Sequence, residues 1–387
     1  MITIYVALTF KINGKLDYHK MKKLEKILFV ITTTLAAVNI SADISKLNVP
    51  EGFVVSSFTQ EIDDARQMVE GENFLFVGTK GAGKVYAINK AETNKVITIV
   101  EGFDMPTGVA IKNGHLYIAE SDAIHVIRNV EENLSSGNEI IPEVVFDDLP
   151  RQTMWNPLKK SWHGWKWIDF GPDGALYISE GVPCNVCDEA DERYGTILRL
   201  ADGKLDIFAD GVRNSVGFDW HPVTNEMYFT DNGRDWMGDD IPPCELNRVS
   251  SAGKHFGFPF VHGKNIQDDA YKKPDGFQYE EPVWEFQAHT APLGIKFYTG
   301  DAFPEYYKNG AFVAQHGSWN RSKKVGYKVL FMKFEKGEVV SSETFIDGWL
   351  QGEESWGTPV TPLFLKDGTM LISDDKSDSI FRVAYQG

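Results

Sequence analysis

The chain has 387 residues, 42% of them hydrophobic and 24% charged, with a formal net charge of −16. This is the composition of a globular protein that can bury a large core; the acidic balance and the lack of a basic patch argue against nucleic acid or a polybasic membrane surface as partners. Three cysteines are too few for a disulfide scaffold, while 35 glycines beside 25 Phe and ten Trp favour short strands joined by tight turns.

Residues 1–42 read as an export signal. Met21, Lys22, Lys23 and Lys26 form a basic region ahead of the apolar run Ile27–Val38, and Ile40–Ser41–Ala42 supplies a small residue before a cut at Asp43. The run is shorter than the ~20 residues that span a bilayer, with an uncleaved anchor as the alternative. Residues 1–20 read as an extension ahead of the start at Met21. Residues 43–387 are then expected to form one exported domain, periplasmic or secreted, with no integral membrane span.

Past residue 42 no long stretch has apolar residues at i, i+3, i+4 and i+7, so large helices are not expected. What recurs is a turn followed by a short β-type run: Phe74–Val77, Leu116–Ile118, Leu176–Ile178, Met227–Phe229, Ala311–Val313 and Met370–Ile372. Most copies follow a turn signal such as Asn113–Gly114, Asn309–Gly310 or Asp367–Gly368. Most lead into a polar residue: Glu120, Glu180, Asp231, Gln315 or Asp374. A following strand is expected over Lys84–Ile88, Thr196–Leu200 and Ile380–Val383. Six units of roughly 57 residues each suit four-stranded propeller blades with their loops. Copies four and five are 84 residues apart, which places a large loop insertion around 235–290. The pattern predicts an all-β, six-bladed β-propeller, with a pair of β-sandwiches as the competing architecture. The polar residues closing the repeats are expected to end the inner strands and face a central channel.

Several stretches carry residue types suited to chemistry. Trp162–His163–Gly164–Trp165–Lys166 sets an imidazole between aromatic planes; histidine suits a general base near neutral pH, although a single histidine is more often structural. Gly211–Val212–Arg213–Asn214–Ser215 either presents a guanidinium fork beside an amide, fit for a carboxylate or polarised carbonyl, or carries an ordinary surface arginine. Asp231–Asn232–Gly233–Arg234–Asp235 and Gly238–Asp239–Asp240 are oxygen-rich, which suits Ca²⁺ as well as solvated loop acids, and their spacing is not that of an EF-hand. Gln315–His316–Gly317–Ser318–Trp319–Asn320–Arg321 gathers polar donors at a strand end without the Gly-x-Ser-x-Gly of a serine hydrolase elbow. His289–Thr290–Ala291–Pro292 adds a histidine at the end of the insertion. His-Glu-x-x-His, P-loop and Gly-x-Gly-x-x-Gly fingerprints are absent, which weighs against zinc protease, NTPase and nicotinamide chemistry. Cys184–Asn185–Val186–Cys187 lacks the second pair of a zinc site, so a local disulfide is expected, with Cys244 left as a free thiol.

Together the strings His163–Lys166, Pro183–Cys187, Val212–Phe218, Asp231–Trp236, His289–Gly294 and His316–Arg321 resemble the pyrroloquinoline quinone (PQQ)-dependent sugar dehydrogenases, in the L-sorbosone dehydrogenase-like and soluble glucose dehydrogenase-like branch. The resemblance covers nearly all of residues 43–387. It implies a six-bladed propeller, PQQ at the channel mouth beside Ca²⁺, a sugar substrate oxidised at a hydroxyl or aldehyde hydrate, and a quinone or cytochrome as electron acceptor. It implies that His163 takes the hydroxyl proton while hydride moves to the quinone, and that Arg213 stabilises charge on the quinone oxygen. Cofactor contacts are implied for Lys80, Arg213, Asn214, Asn232, His289, His316 and Arg321, and Ca²⁺ coordination for the backbone carbonyls of Gly233 and Arg234. Two positions depart from the pattern. Gly357–Thr358–Pro359–Val360 stands where relatives often carry Gly-Arg-Pro-Val, removing a charge-assisted clamp worth about 1.5–3 kcal/mol. Cys244 stands where they often carry Asp. Two competing readings are a calcium-dependent lactonase-type hydrolase, which would need metal but no quinone, and a non-catalytic ligand-binding propeller.

Overall fold

A computed structural model of the chain describes residues 42–150 and 163–387. The expected export signal, apart from Ala42, and Trp162 of the first histidine string lie outside these residues.

The recurrent β-branched and aromatic runs all become strands: Phe74–Thr79, His115–Ala119, Leu176–Glu180, Met227–Asp231, Ala311–Gln315 and Met370–Asp374. Each is the second strand of an antiparallel blade, and there are six blades. The innermost strands are Ala65–Glu70, Gly108–Lys112, Ile168–Phe170, Phe218–Trp220, Pro292–Phe297 and Pro359–Phe364, for blades 1 to 6. This corrects the expected placement of the repeats, because the polar residues that close them end second strands rather than inner ones. The third strands include Lys84–Asn89, Thr196–Ala201 and Ser379–Tyr385, as the sequence predicts. The β-sandwich alternative is excluded by this arrangement.

Burial explains the cyclic order. A separate apolar cluster fills the gap between each pair of consecutive blades. Phe76, Val85 and Ile118 lie between blades 1 and 2, and Ile178 and Leu198 with Ala119 between 2 and 3. Ile197, Phe218 and Phe229 join blades 3 and 4, and Leu246, Ile295 and Val313 join 4 and 5. Phe312, Phe331, Ile372 and Phe381 join 5 and 6, and Leu75, Val77, Leu371 and Ile380 return to blade 1. Each blade therefore buries both of its faces, which is why the second strands read as continuous apolar runs rather than as alternating ones. Close to the axis the inner strands approach so tightly that side chains are excluded: a Cβ on Gly217 would sit 2.3 Å from the Leu293 carbonyl oxygen.

The ring closes through the N-terminal strand Phe53–Thr59, which pairs with Ser379–Tyr385 as the outer strand of blade 6. The insertion falls between Cys244–Val249 and Trp284–Phe286 of blade 4. It contributes a small hairpin, Val261–His262 with Ile266–Gln267, and sends Lys254–His255 to pair in parallel with Lys204–Asp210 as a fifth strand of blade 3. The α-helix among the described residues is Val130–Ser136, and no described helix is long and apolar enough to cross a membrane.

Candidate active site

The blade geometry converges polar side chains on one mouth of the ring. The residue just past the second strand of blades 1, 4, 5 and 6 is Lys80, Asn232, His316 and Asp375, and all four line a cavity of about 320 Å³. Beside them come residues on or just before the inner strands: Arg66 of blade 1, His163 and Trp165 before blade 3, Arg213 and Asn214 before blade 4, and Ala291 before blade 5. Beneath them Val216, Leu293 and Val360 form a small apolar cluster against Trp165. The cavity is at the small end of ligand sites, which run ~300–1,000 Å³.

His163 is buried, and its Nδ1 lies 2.8 Å from the Val182 carbonyl oxygen. That carbonyl can only accept, so it selects the tautomer with the proton on Nδ1 and places the lone pair of the neutral ring on Nε2. Burial, the Arg213 guanidinium and then Lys80 push its pKa well below 6.5, against the Val182 hydrogen bond. The imidazole is therefore neutral at pH 7. Gly181 makes this approach possible, since a Cβ there would lie 2.5 Å from the His163 Cβ.

Arg213 is held from every side. Its Nε donates to the Asn185 carbonyl at 2.8 Å, and Nη1 donates to the carbonyls of Asn232 and Gly233 at 3.0 and 3.1 Å. Nη2 donates to Asn185 Oδ1 at 2.9 Å and faces Asp235 at 3.5 Å. All five guanidinium N–H groups are thus engaged within the protein. The Cys184–Cys187 disulfide closes the turn that presents Asn185, and Cys244 is a buried free thiol lining the cavity. Asp231 accepts from the backbone N–H groups of Arg213 and Asn214 at 2.9 and 2.7 Å; burial raises its pKa to about 6.

On the far wall Asp375 accepts from His316 Nε2 at 2.9 Å, the Thr358 hydroxyl at 2.6 Å and Arg66 Nη1 at 2.5 Å. Burial opposes its ionisation, but the charges of His316 and Arg66 and the bonds from His316 and Thr358 outweigh that and hold its pKa far below the carboxylate range. Thr358 thus serves to orient Asp375. Lys80 Nζ sits 3.6 Å from the centre of the Trp165 ring. Burial, then the Arg66 charge, lower its pKa to about 8 despite Asp375 and Asp64.

Eight of the ten residues singled out by sequence come together at the cavity: Lys80, His163, Arg213, Asn214, Asn232, Gly233, His289 and His316. Arg234 and Arg321 do not line it. Arg234 pairs with the buried Asp268, and Arg321 reaches the Asp239 carbonyl and Asp240. His289 lines the cavity while its Nε2 bonds the Gly238 carbonyl at 2.7 Å. Sequence reasoning missed Arg66 and Asp375. Asp375 had a usable signal, because it follows the sixth repeat at the position Lys80, Asn232 and His316 occupy after theirs. Arg66 had none, since it precedes the first repeat in a strand without a turn signal. Among the described residues no cluster of three or more His, Cys, Asp or Glu side chains is set to hold a metal.

Residues 247–383 match the model of the TrAA12-like family. An uncharacterized protein of Borreliella burgdorferi is 34% identical over 374 residues, 93% of this chain and 96% of its own length. Among solved structures, a member of Carbohydrate-Active Enzymes Family AA12 from Trichoderma reesei superposes with a TM-score of 0.72 at 18% identity, covering 92% of this chain and all of that one. The holo PQQ domain of a pyranose dehydrogenase from Coprinopsis cinerea gives 0.68 at 15% identity, covering 87% of this chain and 97% of the domain. The chain belongs to the family of the Borreliella protein, on the fold of the PQQ-dependent soluble sugar dehydrogenases and AA12 oxidoreductases.

Proposed function

We propose that this protein is an exported oxidoreductase that uses PQQ and Ca²⁺ to oxidise a sugar hydroxyl or aldehyde hydrate, with His163 as general base. The observation that carries this reading is a buried neutral imidazole, fixed in one tautomer, facing a cavity whose cations outnumber its carboxylates. Lys80, Arg66 and Arg213 face Asp235 and Asp375 there, in a chain that is strongly acidic overall.

The residues fit a planar tricarboxylate. Lys80 brings a half-buried ammonium at the cavity wall, and Arg66 Nε is buried without an acceptor among the described residues. The Oδ1 atoms of Asn214 and Asn232 are buried without donors among the described residues, which is costly unless a ligand supplies donors or a cation. Lys80 and Arg66 would hold carboxylates, and Asn214 and Asn232 would orient the ring edge. The Gly233 carbonyl at the cavity wall is the proposed hard donor to Ca²⁺, using the lone pair that Arg213 leaves open, and Arg234, which does not itself line the cavity, would add only its adjacent backbone carbonyl. When bound, the ortho-quinone supplies a two-electron acceptor. His163 takes the substrate proton at Nε2, and its Nδ1–H bond to Val182 stabilises the imidazolium that forms. Arg213 fixes the turn that carries Asn214 and places a positive charge beside the cavity.

The test is to titrate the purified protein with PQQ, with and without Ca²⁺, following quinone absorbance and the melting temperature, and then to assay dye reduction across aldoses. Calcium-dependent binding with turnover supports the assignment. No binding at micromolar quinone would remove it.

A further inference from the structure

His163, His289 and His316 all line the cavity, and they are held differently. His289 Nε2 is tied to the Gly238 carbonyl. His316 follows the second strand of blade 5 and is half-buried, whereas His163 is buried. The Nε2 atom of His316 lies 2.9 and 3.1 Å from the two oxygens of Asp375. Burial opposes the charge on Asp375, but His316 and Arg66 keep it ionised. A carboxylate can only accept, so the neutral His316 ring carries its proton on Nε2 and its lone pair on Nδ1.

This dyad is braced from three blades. Asp375 accepts from the Thr358 hydroxyl of blade 6 at 2.6 Å and from Arg66 Nη1 of blade 1 at 2.5 Å. In blade 5 the His316 backbone N–H donates to the Ala291 carbonyl at 3.0 Å. An imidazole oriented by a carboxylate that is itself fixed is the arrangement used to move protons. His163 is the contrasting case. Its Nδ1–H meets a neutral carbonyl, and the charges acting on it are the cations Arg213 and Lys80, so a proton taken there is held weakly. Oxidation of a sugar CH–OH to C=O removes two electrons and two protons. The electrons end on an external acceptor, and both protons must reach water.

We propose that His316, held by Asp375, is the proton exit of the cavity: Nδ1 takes up a proton released by the oxidation and gives it to water as the electrons leave for a one-electron acceptor. One N–H bond forms and breaks at Nδ1 for each proton moved, and Asp375 stays ionised throughout. The inference rests on the sugar-oxidoreductase reading.

The test has two arms. In cofactor-free protein carrying ¹⁵N-labelled histidine, nuclear magnetic resonance at alkaline pH should show His316 as the Nε2–H tautomer; the Nδ1–H form overturns the proposal. In protein loaded with PQQ and Ca²⁺, His316→Gln should lower glucose turnover with phenazine methosulfate about 10²-fold, and should slow the bleaching of the quinone absorbance by glucose much less. Added imidazole should restore turnover in a saturable manner, which a merely structural role would not allow. Turnover by His316→Gln at the wild-type rate, or a loss that imidazole leaves unchanged, overturns the proton exit and leaves the oxidoreductase reading standing. A wild type that turns over no sugar overturns both.

Discussion

At the residue scale, two side chains set the pH behaviour of the cavity, and the signs differ. His163 has its pKa pushed below 6.5 by burial first and by Arg213 second, so it stays unprotonated through the neutral range. Activity that needs it as a base should hold from pH 8 down past 6.5 and fall only below that. Replacing it with alanine should cut kcat by about 10²–10⁴ while quinone absorbance still reports a bound cofactor. A variant with full turnover would take His163 out of the mechanism. Lys80, with a pKa of about 8, is charged below that value and loses its charge above it. The affinity for an anionic ligand should therefore be flat below pH 8 and weaken as pH rises through it. Lys80→Met should flatten that limb, and an unchanged profile would show that Lys80 does not meet the ligand.

Among the elements, the second strands are where local sequence and fold agree most closely. Phe76, Ile118, Ile178, Phe229, Val313 and Ile372 each sit in such a strand and are fully buried, so their apolar runs needed no alternation to be recognised. The inner strands were less legible. Ile168–Phe170 and Phe218–Trp220 are three residues long, and their constraint is the closeness of the neighbouring blade. Gly217 makes that constraint measurable. Its substitution by alanine should destabilise the protein by about 1–3 kcal/mol, because the Cβ would meet the Leu293 carbonyl at 2.3 Å. A melting temperature equal to wild type would show that blades 4 and 5 can separate at no cost. The site elements follow the same division. The strings at His163, Arg213 and Asn232 were visible as local patterns, whereas the partnership of Arg66 with Asp375 joins positions 309 apart.

For the whole molecule, ring closure is the decisive contact. Phe53–Thr59 completes blade 6, and Phe53 packs its ring edge-on against Phe303, Tyr307 and Phe345 of blade 5. Removing residues 53–59 would leave Ser379–Tyr385 as an open edge and uncover that aromatic cluster, and exposed edges of this kind template aggregation. The truncated chain should fail to give a single cooperative thermal transition and should sediment as aggregate. A soluble monomer that melts as wild type would show that the ring does not depend on this strand.

Blade number, blade length and the place of the insertion were all readable from one dimension, because a repeated unit that buries both faces must repeat its apolar run. So were most of the polar residues at the mouth, since they ride on turns at fixed offsets from those runs. The assignment of partners came from three dimensions alone. Arg213 and Arg321 are both arginines in polar turns; one is enclosed by Asn185, Asn232 and Gly233 beside the cavity, and the other ties two rim loops outside it. Thr358, which by sequence is a missing cation, proves to be the donor that orients Asp375. The reason is physical. Apolar burial is additive and local enough to leave a periodic trace, while a hydrogen bond or an ion pair depends on which atoms the closed ring brings within about 3 Å.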